Sequence, residues 1–235
     1  MFTRSAAFYD LLYSFKDWAA EAEKARRALD AARRSRGHRL LDVACGTGQH
    51  LLHLKQHFEA EGLDLDPELL AIARRRSPEL QFTQADMVDF DLGRRFDAVV
   101  CLGSAIGYVG TLRKLRMTAR TLARHLEPGG VVLVEPWLTP EVFRPGYVQA
   151  LMAEAPDLKV ARMSRSELRE DCWELTFHYL VGTPEGVEHF TEQHRLGLFT
   201  TEDYLNAFAD AGLHVTYDPD GIIGRGLVIG VKPPG

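Results

Sequence analysis

The sequence has few cysteines, and their placement indicates neither a disulfide framework nor a metal site. There are three cysteines in 235 residues, an odd number, and they lie far apart in the chain. No Cys/His spacing resembles a zinc site, so we expect no metal. Cys101 stands inside the apolar run 98–102, which predicts a reduced and buried thiol.

Long apolar runs and an excess of positive charge are also missing. No apolar run approaches the ~20 residues of a membrane span, and the N-terminus has no apolar core followed by a cleavage site. The formal net charge of −5 creates no field that would recruit nucleic acid or anionic lipid. Short arginine runs such as 74–76 are typical of solvated helix faces. We therefore expect a cytoplasmic protein without nucleic-acid or membrane partners.

What is present is the composition of a globular domain, with 46% apolar and 26% charged residues. Short apolar runs alternate with amphipathic helical patterns, which predicts an α/β fold with a parallel sheet and helices on both faces. One helix around Tyr9 and a second from Trp18 to about Arg36 come first. The predicted strands are 39–43, 60–65, 80–84, 96–102 and 131–136, and the helices between them are 48–57, 67–76 and 111–126.

After Trp137 the pattern changes to strict alternation. Residues 172–182 alternate with period two, which is typical of a half-buried antiparallel strand. A turn at 183–186 leads to a partner strand at 187–199, and 158–168 is a candidate third strand. The sequence thus predicts an antiparallel insertion, 138–199, within a domain formed by 1–137 and 200–235. The last segment is predicted as a helix at 201–211 and strands at 213–217 and 226–232.

A glycine pair follows the first predicted strand. Gly46 and Gly48 stand where a strand turns into a helix, so backbone can approach a ligand closely. The dinucleotide fingerprint requires a third glycine where this chain has Leu51, which disfavours an NAD-dependent oxidoreductase. Asp42, at the end of the strand, would repel a pyrophosphate but suits a ligand that carries an ammonium and no phosphate.

Acidic residues also follow the second and third strands. Asp64 comes after the second strand, where a carboxylate accepts hydrogen bonds from both ribose hydroxyls. Asp86 and Met87 follow the third strand, where they suit an adenine amino group and ring face. Each has an alternative: Asp64 as the cap of the helix that begins at Pro67, Asp86 as a turn residue and Met87 as core. Taken together they favour an adenosine ligand without phosphates.

The segments 41–48, 62–66, 85–87 and 126–135 resemble the motifs of class I methyltransferases that use S-adenosylmethionine. The resemblance implies a Rossmann-like sheet of seven strands, the last antiparallel. Ala44 stands where that family usually has glycine. Tyr9 and Trp18 would cover the methionine end of the cofactor, although core packing is an alternative for both. The implied S-adenosylmethionine contacts are Tyr9, Trp18, Asp42, Ala44, Gly46, Gly48, Asp64, Leu65, Asp86, Met87 and Leu102.

A narrower resemblance extends from Tyr9 to Val231. Stretches such as 145–148, 194–195 and 224–227 are similar to those of the methyltransferases that dimethylate the amine of dTDP-amino sugars in macrolide antibiotic pathways. This resemblance implies N-methylation, with one or two methyl groups added, of a nucleotide-linked amino sugar. It also implies that the insertion covers the active site and contributes to a homodimer. The alternatives are a methyltransferase acting on N or O of a non-sugar acceptor, and a non-catalytic adenosyl-binding protein.

By this resemblance Tyr108 lies beside the acceptor amine, with a structural core aromatic as the alternative. Glu135, at the end of the fifth predicted strand, is the candidate to orient an ammonium or accept a proton. Arg225 lies between two glycines and is the candidate for a substrate phosphate, with an ion pair to Asp218 or Asp220 as the alternative. The histidines are either substrate contacts or structural residues. The expected substrate residues are Ser104, Tyr147, His178, His194 and Arg225.

Overall fold

The computed structural model describes residues 4–169 and 172–234. Within these ranges the helices are α1 (Tyr9–Leu12), α2 (Trp18–Ala32), α3 (Leu51–Leu54), α4 (Pro67–Arg76), α5 (Leu112–Arg124) and α6 (Thr201–Ala209), with 3₁₀ turns at Ser5–Phe8 and Ala105–Val109. The strands are β1 (Arg39–Val43), β2 (Glu59–Asp64), β3 (Gln81–Gln84), β4 (Phe96–Cys101), β5 (Leu126–Val134), β6 (Val148–Ala155), β7 (Leu158–Arg169), β8 (Cys172–Thr183), β9 (Gly186–Gly197), β10 (His214–Asp218) and β11 (Leu227–Val231).

The main sheet has seven strands in the order β10-β11-β5-β4-β1-β2-β3. The pairs among β1 to β5 are parallel, whereas β11 pairs antiparallel with both β5 and β10. The implied α/β class with an antiparallel last strand is therefore confirmed. The strand order changes direction at β1 and β4, and the carboxyl ends of these strands form the edge where ligands bind in such sheets.

Neighbouring residues of β1 pack into opposite layers. Leu41 and Val43 pack in the cluster that holds Leu115 of α5 and Phe208 of α6, whereas Leu40 packs with Leu29 of α2. All six residues of β4 are buried. Helices thus cover both faces, as the apolar character of the central strands predicts. The described residues contain no helix long and apolar enough to cross a membrane.

A second sheet, in the order β6-β7-β8-β9, is antiparallel and lies within the predicted insertion. Its inner face packs against the N-terminal segment through apolar residues such as Leu12, Phe177 and Phe190. It also contacts the 3₁₀ turn after β4, where a Cβ on Gly107 would lie 3.0 Å from Leu196 Cδ2 of β9. The absence of a side chain at Gly107 therefore permits the close approach of the second sheet to this turn.

Some element boundaries differ from the predicted ones. The helix predicted at 48–57 is reduced to α3, because the preceding residues form a tight turn in which Gly48 has φ +76°. The helix predicted to reach Arg36 ends at Ala32, because the Arg34 and Ser35 N–H groups donate to the Gly129 carbonyl instead. Strand β6 was not predicted, since it is an exposed edge strand rich in alanine, methionine and glutamate, which favour helix.

Candidate active site

The loop after β1 has an unusual backbone. Ala44, Gly46 and Gly48 all have positive φ, at +59°, +56° and +76°. The Cys45 N–H donates to the Leu63 carbonyl at 3.0 Å, which ties the loop to β2. A Cβ on Gly46 would meet no atom within 4 Å, so the loop borders open space. Ala44 therefore stands at a position that favours glycine, the residue that the resemblance to class I methyltransferases implies there.

We predict that Ala44→Gly stabilises the protein slightly. Relief of the left-handed conformation should raise the free energy of unfolding by about 1–2 kcal/mol. The greater freedom of glycine in the unfolded chain should lower it by about 0.4–1 kcal/mol, so a small net gain is expected. Urea unfolding should show a higher midpoint. Ala28→Gly, in the interior of α2, is the matched control and should lower the free energy of unfolding by about 1 kcal/mol. Equal losses at the two positions would contradict the prediction.

Asp64 connects the end of β2 to the glycine loop. Its Oδ2 accepts the Gly46 N–H at 2.7 Å and its Oδ1 accepts the Asp66 N–H at 2.8 Å. Asp66, and not Asp64, is the N-cap of α4, because it accepts the Glu68 N–H at 2.9 Å. The alternative that Asp64 caps this helix is therefore wrong. Burial raises the pKa of Asp64, while its backbone hydrogen bonds oppose that shift.

Asp42 is a second buried carboxylate at the same edge. Burial, followed by the charge of Asp64, raises the pKa of Asp42 well above its usual range. Among the described residues Asp42 Oδ2 has no hydrogen-bond partner. Gly103, after β4, also borders open space. Two buried acids beside open space and a glycine turn suit a cationic adenosyl ligand and disfavour a pyrophosphate.

The other predicted cofactor residues lie at or near this edge. Leu65 is exposed directly after Asp64, Met87 packs on the core cluster, and Leu102 is buried after β4. Asp86 Oδ1 accepts the Val88 N–H at 2.9 Å, which is the turn geometry named as its alternative. Their contacts with a cofactor remain predictions.

The N-terminal helices face the same loop. The Tyr9 ring lies 4.7 Å from the Tyr13 ring, and burial, followed by charges that include Asp64, raises the pKa of Tyr9. Trp18 packs edge-on against His50 at 5.1 Å and lies under the Lys16 ammonium at 4.2 Å. These contacts support the packing roles named as alternatives for Tyr9 and Trp18.

Asp10 ties α1 to the loop, and sequence analysis missed it. Its Oδ1 accepts the Thr47 hydroxyl at 2.7 Å and the Gln49 amide at 2.9 Å, while Arg76 pairs with its Oδ2. Arg76 also donates to the Thr47 carbonyl. The prediction of a solvated face at 74–76 is wrong for Arg76. No spacing in the sequence indicates these contacts, because they join three separate elements.

A second group of polar residues lies where β4 and β5 end. Glu135 Oε2 accepts the Gly103 N–H at 2.7 Å, and burial raises the pKa of Glu135, against the opposing charge of Arg225. Arg225 Nη1 donates to Ser104 Oγ at 3.1 Å, and its guanidinium lies 5.2 Å from the Trp137 ring centroid. The structure thus brings together three predicted residues, Ser104, Glu135 and Arg225.

Arg225 does not have the alternative partners considered for it. Among the described residues, no carboxylate of Asp218 or Asp220 lies within ion-pair distance of its guanidinium. The ion-pair alternative is therefore wrong. A guanidinium that, among the described residues, donates to one neutral hydroxyl retains donors for a ligand anion.

The inner face of the second sheet contributes the opposite wall. Tyr108 Oη lies 2.7 Å from His194 Nδ1, and the His194 ring packs edge-on against Phe177 at 4.7 Å. Arg162, only 6% exposed, lies over the same Phe177 ring at 4.7 Å and donates to Tyr13 Oη at 3.1 Å. Arg162 was not predicted as a site residue, because a charged residue on an alternating strand normally faces solvent.

Two predicted substrate residues do not join these groups. His178 lies on the outer, exposed face of β8, where its ring stacks on His189. The prediction that His178 contacts substrate is therefore corrected. Side chains alternate between the two faces of a strand, so Phe177 and Tyr179 face inward and His178 faces outward. Tyr147 is 55% exposed at the edge before β6. The prediction that these two contact substrate therefore has no support from their positions.

Comparisons with known proteins agree with this geometry. The methyltransferase domain family matches residues 40–130. One relative is a Streptomyces fradiae enzyme, dTDP-3-amino-3,6-dideoxy-alpha-D-glucopyranose N,N-dimethyltransferase. It is 45% identical to this chain, and the matched region covers 96% of this chain and 90% of that enzyme. The crystal structure of Streptomyces venezuelae DesVI superimposes with a TM-score of 0.91 at 41% identity, over 99% of each chain.

A third relative was solved with the cofactor. The structure of S-adenosylmethionine-bound CalS10, an amino pentose methyltransferase of calicheamicin biosynthesis from Micromonospora echinaspora, has a TM-score of 0.85. It is 39% identical and covers 99% of this chain and 98% of its own. At this identity and coverage, the chain belongs to the family of S-adenosylmethionine-dependent N,N-dimethyltransferases of dTDP-amino sugars.

Proposed function

We propose that this protein methylates the amine of a dTDP-linked amino sugar in an antibiotic pathway. The observation that carries the proposal is the position of Arg225. Its guanidinium pairs with a neutral hydroxyl beside the buried Glu135, so it has donors for a diphosphate at the edge where β4 and β5 end. The names of the relatives support the nucleotide-linked amine as the acceptor.

The residues at the glycine loop fit S-adenosylmethionine. We expect Asp64 to accept from the ribose hydroxyls, Asp42 to face the ammonium, and Leu65 and Met87 to contact the adenine. When bound, the cofactor supplies an electrophilic methyl group on a sulfonium. The open space at Gly46 supports this assignment, as does Asp42 Oδ2, which has no hydrogen-bond partner within the described ranges. Tyr9 and Trp18 remain candidates for the methionine end.

The acceptor nitrogen must reach the methyl group as a neutral amine, because its lone pair forms the new bond. The protein has to hold that nitrogen in line at about 3–3.5 Å from the methyl carbon. Tyr108 and Glu135 are the polar side chains that we place beside the amine. Each transfer leaves an ammonium, which must lose a proton before a second methyl group is added. We propose two transfers, as in the N,N-dimethyltransferases that this chain resembles.

We also propose a homodimer formed through the outer face of the second sheet. Five large apolar side chains are exposed on this face, which is unusual for a monomer surface. They are Val148, Met152, Met163, Leu180 and Val187.

The test is mass spectrometry of acceptors incubated with labelled S-adenosylmethionine. A panel of dTDP-amino sugars, the matching free amino sugars and the matching dTDP-sugars with hydroxyl in place of the amine would be compared. We expect one and then two labelled methyl groups on a dTDP-linked amine, and far slower transfer to the free sugars. Transfer to the hydroxyl compounds, or to free amines at the same rate, would contradict the proposal. Cofactor binding without transfer to any member would favour the adenosyl-binding alternative.

A further inference from the structure

Helix α1 lies between the two parts of the candidate active site and is tethered to both. It has four residues, and only Leu12 among them is buried. A helix this short is not stable by itself, so its position depends on the contacts that it makes. These contacts run in two directions, to the glycine loop on one side and to the inner face of the second sheet on the other.

The tether to the glycine loop is Asp10. Its Oδ1 accepts the Thr47 hydroxyl at 2.7 Å and the Gln49 side-chain amide at 2.9 Å. Its Oδ2 pairs with Arg76, which also donates to the Thr47 carbonyl. Thr47 is 1% exposed, and Asp10 gives its hydroxyl an acceptor inside the protein. Asp10 therefore holds the middle of the loop, because Thr47 stands between its two left-handed glycines.

The tether to the second sheet is formed by residues in and around α1. Leu12 packs in the apolar cluster of the inner face. Tyr13, directly after the helix, accepts from Arg162 Nη1 of β7 at 3.1 Å, and the same guanidinium lies 5.4 Å from the Tyr13 ring centroid. Ahead of the helix, the Ser5 N–H donates to Glu192 Oε1 of β9 at 3.0 Å. The N-terminal segment thus joins the glycine loop to the second sheet.

The glycine loop has a conformation that is costly to hold. Ala44 has a φ of +59°, which is unfavourable for a residue with a side chain. A ligand that binds the loop in this conformation stabilises it. The donors of Thr47 and Gln49 are then held in place for Asp10. Binding of a cofactor at the loop therefore also favours the docked position of α1.

We propose that Asp10 is a positioning residue through which occupation of the cofactor site strengthens binding of the acceptor. This inference rests on the proposed function, because it takes the glycine loop as the cofactor site and the second sheet as a wall of the acceptor site. A cofactor that orders the loop fixes Asp10, and α1 then holds Leu12 and Tyr13 against the second sheet. The acceptor meets a wall that is already ordered, so less conformational freedom is lost when it binds.

Coupling of this kind is reciprocal. If the cofactor raises the affinity for the acceptor by a given factor, the acceptor raises the affinity for the cofactor by the same factor. The complex that holds both reactants is then favoured over the complexes that hold only one of them. This consequence can be measured without any methyl transfer.

The first measurement is calorimetric titration with S-adenosylhomocysteine and a dTDP-amino sugar, each in the absence and presence of the other. S-adenosylhomocysteine lacks the transferable methyl group, so no reaction occurs. Asp10→Ala removes the acceptor oxygens, and Asp10→Asn keeps one oxygen for the loop but loses the ion pair with Arg76. Asp17→Ala is the matched control, because Asp17 is a nearby carboxylate that caps α2 through the Ala20 N–H at 2.9 Å.

The second measurement is hydrogen exchange of the α1 peptide, followed by mass spectrometry. In the wild-type protein S-adenosylhomocysteine should slow exchange of the amides of α1 and of the Tyr13 N–H, which donates to the Tyr9 carbonyl at 3.0 Å. In Asp10→Ala this protection should be lost at equal occupancy of the cofactor site. Thermal unfolding verifies that each variant is folded.

We expect S-adenosylhomocysteine to tighten acceptor binding about fivefold or more in the wild-type protein, with the same factor in the reverse titration. In Asp10→Ala the factor should fall close to one, so acceptor affinity falls more when the cofactor site is occupied than when it is empty. A residue with only a structural role would lower both affinities by the same factor. Asp10→Asn should lie between these limits, and Asp17→Ala should keep the wild-type factor.

Three results would overturn the inference: a wild-type protein without coupling, the full wild-type factor in Asp10→Ala, or exchange of α1 that does not change when S-adenosylhomocysteine binds. Failure of the proposed function looks different, since the dTDP-amino sugar would then neither bind nor be methylated. The exchange measurement needs no acceptor and would still show whether the cofactor holds α1 through Asp10.

Discussion

Replacing Asp64 with alanine is expected to weaken S-adenosylmethionine binding by about 1.5–3 kcal/mol, the range for hydrogen bonds to a charged group. Asp64 is the carboxylate that we expect at the ribose hydroxyls. It also accepts the Gly46 N–H, so its loss removes both a ligand contact and a contact that shapes the glycine loop. Calorimetric titration of the wild-type and variant proteins measures the difference.

Asp66→Ala is the control for this experiment, two residues away. It removes the N-cap of α4 and should lower the free energy of unfolding by about 0.5–2 kcal/mol without a comparable loss of affinity. Asp64→Asn retains one oxygen acceptor and should lie between wild type and Asp64→Ala. Unchanged affinity in Asp64→Ala, or equal losses in the Asp64 and Asp66 variants, would remove Asp64 from the cofactor site.

The second large effect is expected on the acceptor side. Arg225→Ala should raise the KM for a dTDP-amino sugar by roughly 10- to 150-fold, the equivalent of about 1.5–3 kcal/mol. The diphosphate loses a charge-assisted partner, whereas the glycine loop and Asp64 lie on other strands and keep the cofactor site intact. Steady-state kinetics at saturating S-adenosylmethionine, with a parallel cofactor titration, measure both quantities.

Two further variants sharpen this result. Arg225→Lys should restore part of the loss, because an ammonium keeps the charge and lacks the planar fork. Arg120→Ala removes an exposed arginine of α5 and should leave KM unchanged. The free amino sugar, which has no diphosphate, should react equally slowly with wild type and Arg225→Ala. A loss of cofactor affinity in Arg225→Ala would show that Arg225 braces the loop rather than binding phosphate.

The cofactor side was predictable because it is built from consecutive strands and the loops that follow them. The predicted first strand matches β1. Gly46 and Asp64 follow neighbouring parallel strands, whose carboxyl ends lie at the same edge of the sheet, so the two residues come into contact. The left-handed conformation of Ala44 was not predicted, although the resemblance implies a glycine at this position. Asp66 as the helix cap was not recognised, because both acids precede Pro67 and only the backbone contacts distinguish them.

The acceptor side was predicted less well, because its residues meet only in three dimensions. Tyr108 and His194 were named separately, and nothing in their spacing shows that they touch. Glu192 and Arg162 were overlooked, since a charged residue on an alternating strand normally faces solvent. His178 was assigned to the site from its residue type, and the period of the strand places it on the opposite face.

The long-range contacts of the acceptor side have a consequence for the order in which the protein assembles. The Asp64–Gly46 contact closes a loop of 18 residues, whereas Tyr108–His194 spans 86, Ser104–Arg225 spans 121 and Ser5–Glu192 spans 187. Closing the longest of these loops costs about 2 kcal/mol more chain entropy than closing the shortest. We therefore expect the glycine loop and Asp64 to come together from local contacts first, and the wall beside Tyr108 to be completed only when the N-terminal segment has packed on β9 of the second sheet.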